Sequence, residues 1–138
     1  MSDVEIRDFL VAQRVGRLGC HAGGVTYVVP VIFAWNDEGI YVYTTEGLKV
    51  SMMRENPEVC FEVDEYLANG SWRSVIVQGV YEELHGPDVD LALALLTQRV
   101  ARRAAVERET DDRGEGRVPV ALRIRTSEVT GRKVDRNA

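Results

Sequence analysis

The period of apolar and polar positions changes several times along the chain, and each change marks an element. Over residues 3 to 14, Ile6, Phe9, Leu10 and Gln13 recur at helical spacing, with Ser2 or Asp3 as cap and Gly16 as stop. Arg17-Leu18-Gly19-Cys20-His21 then alternates with the two-residue period of a strand. Ala22-Gly23-Gly24 reads as a hairpin turn, because glycine adopts positive φ without a Cβ clash. Residues 25 to 35 form one strand interrupted by Pro30, which cannot donate to a ladder and marks an edge, a bulge or a point of departure. Asn36-Asp37-Glu38-Gly39 turns the chain into a strand over residues 40 to 45, completing an antiparallel meander.

Helical character returns at Gly47-Leu48-Lys49-Val50-Ser51-Met52-Met53-Arg54-Glu55 and is closed by Asn56-Pro57. Strands follow at residues 59 to 64 and 72 to 83, separated by the Asn69-Gly70 turn, with a bend or bulge expected at Gly79. Asp88-Val89-Asp90 opens a helix with apolar positions at Leu91, Leu93, Ala94, Leu95 and Leu96, then Val100, Ala101, Ala104 and Ala105. Residues 107 to 117 read as a charged surface loop, 118 to 125 as a strand, and 126 to 138 as a polar tail with one short strand at 129 to 134. The result is a mainly β chain of about six antiparallel strands with flanking helices, in an order that fits a small closed barrel better than a layered α/β sheet.

Composition narrows the picture. The 138 residues suit a single domain over residues 1 to 138, and 45% hydrophobic with 28% charged residues is ordinary for a soluble globular protein. The net charge of −5 argues against nucleic-acid partners, since the only basic cluster is Arg99, Arg102, Arg103 and Arg108 with acidic residues at its end. No apolar run approaches the roughly 20 residues needed to cross a bilayer, and the acidic start lacks secretory character, so the expected location is cytoplasmic without membrane contact. The two cysteines, Cys20 and Cys60, sit in separate strand-like runs and read as reduced, buried thiols. Neither they nor the isolated His21 and His85 make a metal motif, so no metal is expected.

Three segments carry candidate chemistry. In Tyr41-Val42-Tyr43-Thr44-Thr45-Glu46-Gly47-Leu48-Lys49 a strand ends in two hydroxyl residues and a helix begins with glycine and lysine. A helix N-terminus has unsatisfied N–H groups and a positive dipole end, so this corner suits a phosphate, with Lys49 as a point charge. Lysine is rare here, at two against 15 arginines. The plainer alternative is a capped helix with a solvated lysine. In Trp72-Arg73-Ser74-Val75-Ile76-Val77-Gln78-Gly79, alternation sets Trp72, Ser74, Ile76 and Gln78 on one face and Arg73, Val75 and Val77 on the other. That face either meets a ligand or belongs to an ordinary amphipathic strand. At Pro30-Val31-Ile32-Phe33, proline either frees backbone groups for a flat polar ring or simply protects a sheet edge. No catalytic motif of the familiar kinds is present, no catalytic residue is assigned, and a cofactor is expected to carry any difficult chemistry.

These segments, with Gly16-Arg17-Leu18-Gly19-Cys20 before them and Met52-Met53-Arg54-Glu55-Asn56-Pro57-Glu58-Val59-Cys60-Phe61-Glu62-Val63 between, resemble in order and spacing the pyridoxamine 5′-phosphate oxidase-like FMN-binding split barrels over residues 3 to 100. The branch most similar is that of the nitroimidazole-reductase-type flavoproteins. The resemblance implies a split β-barrel homodimer with FMN at the subunit interface, and an oxidoreductase passing electrons from NADH or NADPH to a small acceptor. By position, Pro30, Val31, Ile32 and Phe33 would line the isoalloxazine through backbone contacts. Tyr43, Thr44 and Thr45 would border the ring and ribityl chain, Lys49 would hold the phosphate, and Trp72, Ser74 and Val75 would reach the flavin from the partner subunit. The resemblance breaks at Tyr43, where close relatives often carry histidine, and tyrosine cannot act as a near-neutral base. The pyridoxamine substrate signature is missing too, and Arg132 and Arg136 alone do not restore it. The alternatives are a non-catalytic flavin-binding or sensing protein, a split barrel binding haem or a deazaflavin, and a barrel that has lost its ligand.

Overall fold

The computed structural model describes residues 1–100 and 117–136. Helix α1 (Asp3–Ala12) starts in a capping box: the Glu5 amide donates to Ser2 Oγ (3.2 Å) and the Ser2 amide to Glu5 Oε1 (2.9 Å). It buries Ile6, Phe9 and Leu10. Gly16 does not stop this helix. It lies inside strand β1 (Val15–Ala22), where a Cβ would stand 2.4 Å from the Phe61 ring, so glycine is required there by close packing. Gly23 and Gly24, at φ of +59° and +78°, turn β1 into β2 (Val25–Ile32) as the sequence implies.

The expected strand over residues 25 to 35 is in fact two. It breaks at Phe33, whose side chain enters the core and whose amide donates to Arg14 O (2.9 Å), and it resumes as β3 (Ala34–Asn36). Strand β4 (Gly39–Thr45), helix α2 (Leu48–Glu55), β5 (Glu58–Tyr66), β6 (Trp72–Glu83), helix α3 (Pro87–Val100) and β7 (Pro119–Val134) follow. The polar segment after residue 125 is no tail: β7 is a continuous 16-residue strand with a register shift opposite Gln78 and Gly79, where Ser127 is the extra residue. The bulge expected at Gly79 is therefore present. Residues 101 to 105, expected to continue the last helix, the loop at 107 to 116 and the arginines at 102, 103 and 108 lie outside the described residues.

Seven strands rather than six form one antiparallel sheet in the order β2-β1-β5-β6-β7-β4-β3. The meander expectation fails in one respect. β2 does not pair with the strand that follows it; β1 pairs with β5 and β4 with β7. The two ends of the sheet order, β2 and β3, are consecutive in the chain and joined by Phe33 alone. In a flat sheet six spacings of about 4.8 Å would hold those edges about 29 Å apart, and a one-residue link cannot reach that far. The sheet therefore curls until its edges approach, giving a split barrel whose ladder is not closed. Pro30 sits on edge strand β2, where a missing N–H breaks no pairing on the free side.

Inside the curl, Leu18, Phe33, Phe61, Val63, Val75, Val77, Leu122 and Ile124 are fully buried, with Phe33 and Phe61 packed edge to face at 5.0 Å. A second, smaller cluster lies on the other face of β4 and β7, where α3 covers Tyr41, Ala121 and Leu84. Beside it Arg123 is buried and bonds Glu82 (2.8 Å) and the Tyr41 hydroxyl (3.2 Å).

Candidate functional site

The split leaves a cleft of about 660 Å³ between β2 and the β4–α2 corner, within the range of small-molecule sites. One wall is Tyr27, Val29, Pro30, Val31 and Ile32 of β2. The other is Thr44, Thr45, Gly47, Leu48 and Lys49, with Arg117 at the rim. Thr44 and Thr45 are only 5% and 7% exposed and line the cleft where β4 ends. Gly47 caps α2 without any side-chain hydrogen bond, and no acidic residue stands in the first turn. That terminus presents backbone donors and the positive dipole end to the cleft with no carboxylate of its own turn against them. The Lys49 charge reaches into the barrel wall, where it partly opposes the rise that burial imposes on the Cys20 thiol.

Six of the residues singled out from sequence, Pro30, Val31, Ile32, Thr44, Thr45 and Lys49, are brought together here from elements that do not adjoin in the sheet order. Phe33 is not on this surface; its ring is in the core and its amide is already bonded to Arg14. Tyr43 points to the opposite side of β4, packing with the cluster beneath α3. Val75 is buried inside the barrel. Trp72 lies beside Tyr66 (ring centroids 6.3 Å apart) in a separate polar recess with Glu65, Arg73 and Lys133. Ser74 is half-buried on the outer face, opposite Asp64.

Val15, Tyr27, Val29 and Arg117 line the cleft although the sequence did not single them out, and Arg117 is the charged one among them. It belongs to the approach to β7, and its Nη1 donates to Glu46 O (3.4 Å) across 71 residues of chain. Nothing in its immediate neighbours distinguishes it from the other arginines; only the β4–β7 pairing brings it to the corner.

The outer face of β2, β1, β5 and β6 carries a second groove, of about 580 Å³, lined by Arg17, Gly19, Val28, Cys60, Gln78 and Val80 among others. Val28, Ile76 and Val80 are 60%, 38% and 40% exposed on this face. Cys60 is half-buried in it rather than enclosed, while Cys20 faces the core. Here burial, reinforced by a hydrogen bond with Asp64, raises the Glu62 carboxyl to about 7, and Arg17 at 3.8 Å only partly offsets this. Among the described residues no group of His, Cys, Asp and Glu converges as a metal site, and no helix is long and apolar enough to cross a membrane.

Comparison with known proteins accords with this architecture. A FAD-binding protein from Mesorhizobium loti, known from its crystal structure, is 35% identical, covers 98% of this chain and 95% of its own, and superposes with a TM-score of 0.78. A putative 5-nitroimidazole antibiotic resistance protein from Bacteroides thetaiotaomicron shares the fold at 18% identity, with a TM-score of 0.75 over 95% of this chain and 84% of its own. An uncharacterised Rhizobium meliloti protein is 34% identical over 84 residues, which is 61% of this chain and 56% of that relative, so this match spans little more than half the relative's length. The family model described as pyridoxamine 5′-phosphate oxidase matches residues 2–133, and the chain belongs to that family.

Proposed function

We propose that the protein binds FMN in the cleft between β2 and α2 and, as a homodimer, passes electrons from a reduced nicotinamide to a small acceptor. The observation that carries this reading is the meeting of an apolar strand edge with two buried hydroxyls, two cations and an uncapped helix N-terminus in one 660 Å³ cleft. A flavin phosphate fits that donor set: Thr44 and Thr45 donate hydroxyl hydrogens, Lys49 and Arg117 supply charge, and the first turn of α2 supplies N–H groups. The wall from Val29 to Ile32 suits a flat ring, excluding water from one face of it. Bound flavin supplies hydride and electron transfer; the chain's part is to hold and orient it. FAD carries the same riboflavin 5′-phosphate portion, so the same donor set would anchor either cofactor.

The outer sheet face supports the dimer. Val28 of β2 and Ile76 and Val80 of β6 leave apolar surface exposed on it, and in the proposed dimer a second copy covers this strip. Val75 can contribute only backbone to such a contact. One observation favours a non-catalytic, flavin-holding role: among the described residues no His, Cys, Asp or Glu lines the cleft, and Tyr43 packs with the cluster beneath α3. Among the described residues the same lining holds no His, Cys or Met, and Tyr27 is its one side chain of a type that ligates haem iron.

The test is a visible spectrum of freshly purified protein with mass spectrometry of the released ligand, then titration of the apoprotein. The expected result is a flavin spectrum, and an FMN affinity that falls about tenfold or more in Lys49→Ala, the loss of a charge-assisted phosphate contact. Colourless protein that takes up neither FMN nor FAD refutes the reading. Anaerobic mixing with NADH or NADPH separates the two roles, because the enzyme bleaches and the holder does not.

A further inference from the structure

Of residues 44 to 49, Glu46 alone does not line the cleft. Its position is notable because it directly precedes Gly47, the cap of α2, where a carboxylate is electrostatically welcome. Arg54, in the last turn of α2, reaches back along the helix and grips both Glu46 oxygens, Nη1 to Oε1 at 2.6 Å and Nη2 to Oε2 at 2.7 Å. The same guanidinium bonds Glu83 of β6 through Nε (2.9 Å) and Nη2 (3.0 Å), and the Tyr81 hydroxyl donates to Glu83 at 2.8 Å. The Glu46 backbone is fixed as well: its amide donates to Val118 O (2.8 Å) and its carbonyl accepts from Arg117. Both carboxylate oxygens of Glu46 are thus held by Arg54, and Glu46 does not line the corner formed by Thr44, Thr45, Gly47 and Lys49, although its carbonyl meets Arg117 at the rim.

The geometry points to Arg54 as a positioning residue for the anion site: by clamping Glu46 it keeps the protein's own carboxylate from occupying the first turn of α2, and so reserves that turn for the phosphate of an incoming ligand. This rests on the flavin reading above. A bidentate arginine–carboxylate fork fixes direction as well as charge, which a single ammonium contact does not. Released from Arg54, Glu46 is one residue from the helix terminus. There it opposes a phosphate twice, by filling the donors and by like-charge repulsion at a few ångströms.

The experiment compares FMN with riboflavin, which lacks the phosphate, on the full-length apoprotein. Wild type is expected to prefer FMN. Arg54→Met, which keeps the apolar stem, is expected to weaken FMN by about tenfold or more while leaving riboflavin within about twofold. Adding Glu46→Gln to Arg54→Met removes the intruding charge and is expected to return FMN affinity to within about threefold of wild type. Arg54→Met losing FMN and riboflavin equally, or a double variant without recovery, overturns the inference, since either result means that Arg54 only supports α2. Arg54→Met binding FMN as wild type does also overturns it. A wild-type protein without preference for FMN over riboflavin instead sinks the phosphate site itself, and the role of Arg54 with it.

Discussion

At the scale of single residues, the sharpest constraints come from close approach and from charge. Gly16→Ala places a Cβ 2.4 Å from the Phe61 ring, and the expected cost is about 1–3 kcal/mol of stability. Denaturant melts measure it, and Phe61→Leu in the same chain should recover part of the loss. Glu62 gives a pH dependence. Its carboxyl is raised from its ordinary 4.5 to about 7, first by burial and then by the Asp64 hydrogen bond, so the folded state holds a proton that the unfolded chain releases. That contribution is complete below pH 4.5 and disappears as pH rises through 7; with side chains this accessible it is on the order of 1 kcal/mol. Melts between pH 4 and 8 should flatten in Glu62→Gln, and an unchanged slope assigns the dependence elsewhere. Thr44, Thr45 and Lys49 were legible because strand end, hydroxyls, glycine and lysine are contiguous in sequence. Arg117 was not, because its role depends on a strand pairing made 71 residues away. Tyr43 packs beneath α3, and Phe33, expected to meet a ring through its backbone, has its amide bonded to Arg14 and its side chain in the core, and neither arrangement shows in the residues beside them.

At the scale of elements, the break in the second hairpin decides the architecture. A single strand over residues 25 to 35 is what the β-branched and aromatic residues on both sides of Pro30 predict. Only the burial of Phe33 and its bond to Arg14 separate β2 from β3. Phe33→Ala removes a fully buried ring in edge contact with Phe61 and should cost about 3–5 kcal/mol, measured by thermal unfolding. The same substitution should loosen the cleft wall, seen as faster exchange of the β2 amides with solvent deuterium. The length of β7 escaped the sequence for a related reason. Its outer half pairs with β6 while exposing polar side chains, so composition read as tail where hydrogen bonding makes strand. Arg123 ties that strand to β4 and β6 through Tyr41 and Glu82. Arg123→Met strips Glu82 and Tyr41 of a shared donor and is expected to cost about 2 kcal/mol, less than a fully enclosed pair because Glu82 remains partly wet.

At the scale of the whole molecule, the proposed dimer places the heaviest demand on the outer sheet face. Val80→Lys and Ile76→Lys set charges on the exposed apolar strip beside the groove while leaving the barrel core untouched. Light scattering should then report monomers where the unaltered chain gives dimers, and a dimer that persists moves the interface elsewhere. The barrel was legible in the order of short strands and turns, and the family only through the resemblance carried by segments such as residues 41 to 49 and 52 to 63; the closing geometry was not, since which strand neighbours which is a property of long-range contacts. That geometry has a consequence for synthesis. The last strand supplies the partner of β4 and of β6, and its approach delivers Arg117 and Val118 to Glu46. A nascent chain therefore has no finished corner at Glu46 until the approach to β7, 71 residues further on, has emerged from the ribosome, and the closing of that corner doubles as a report that β7 has been threaded home.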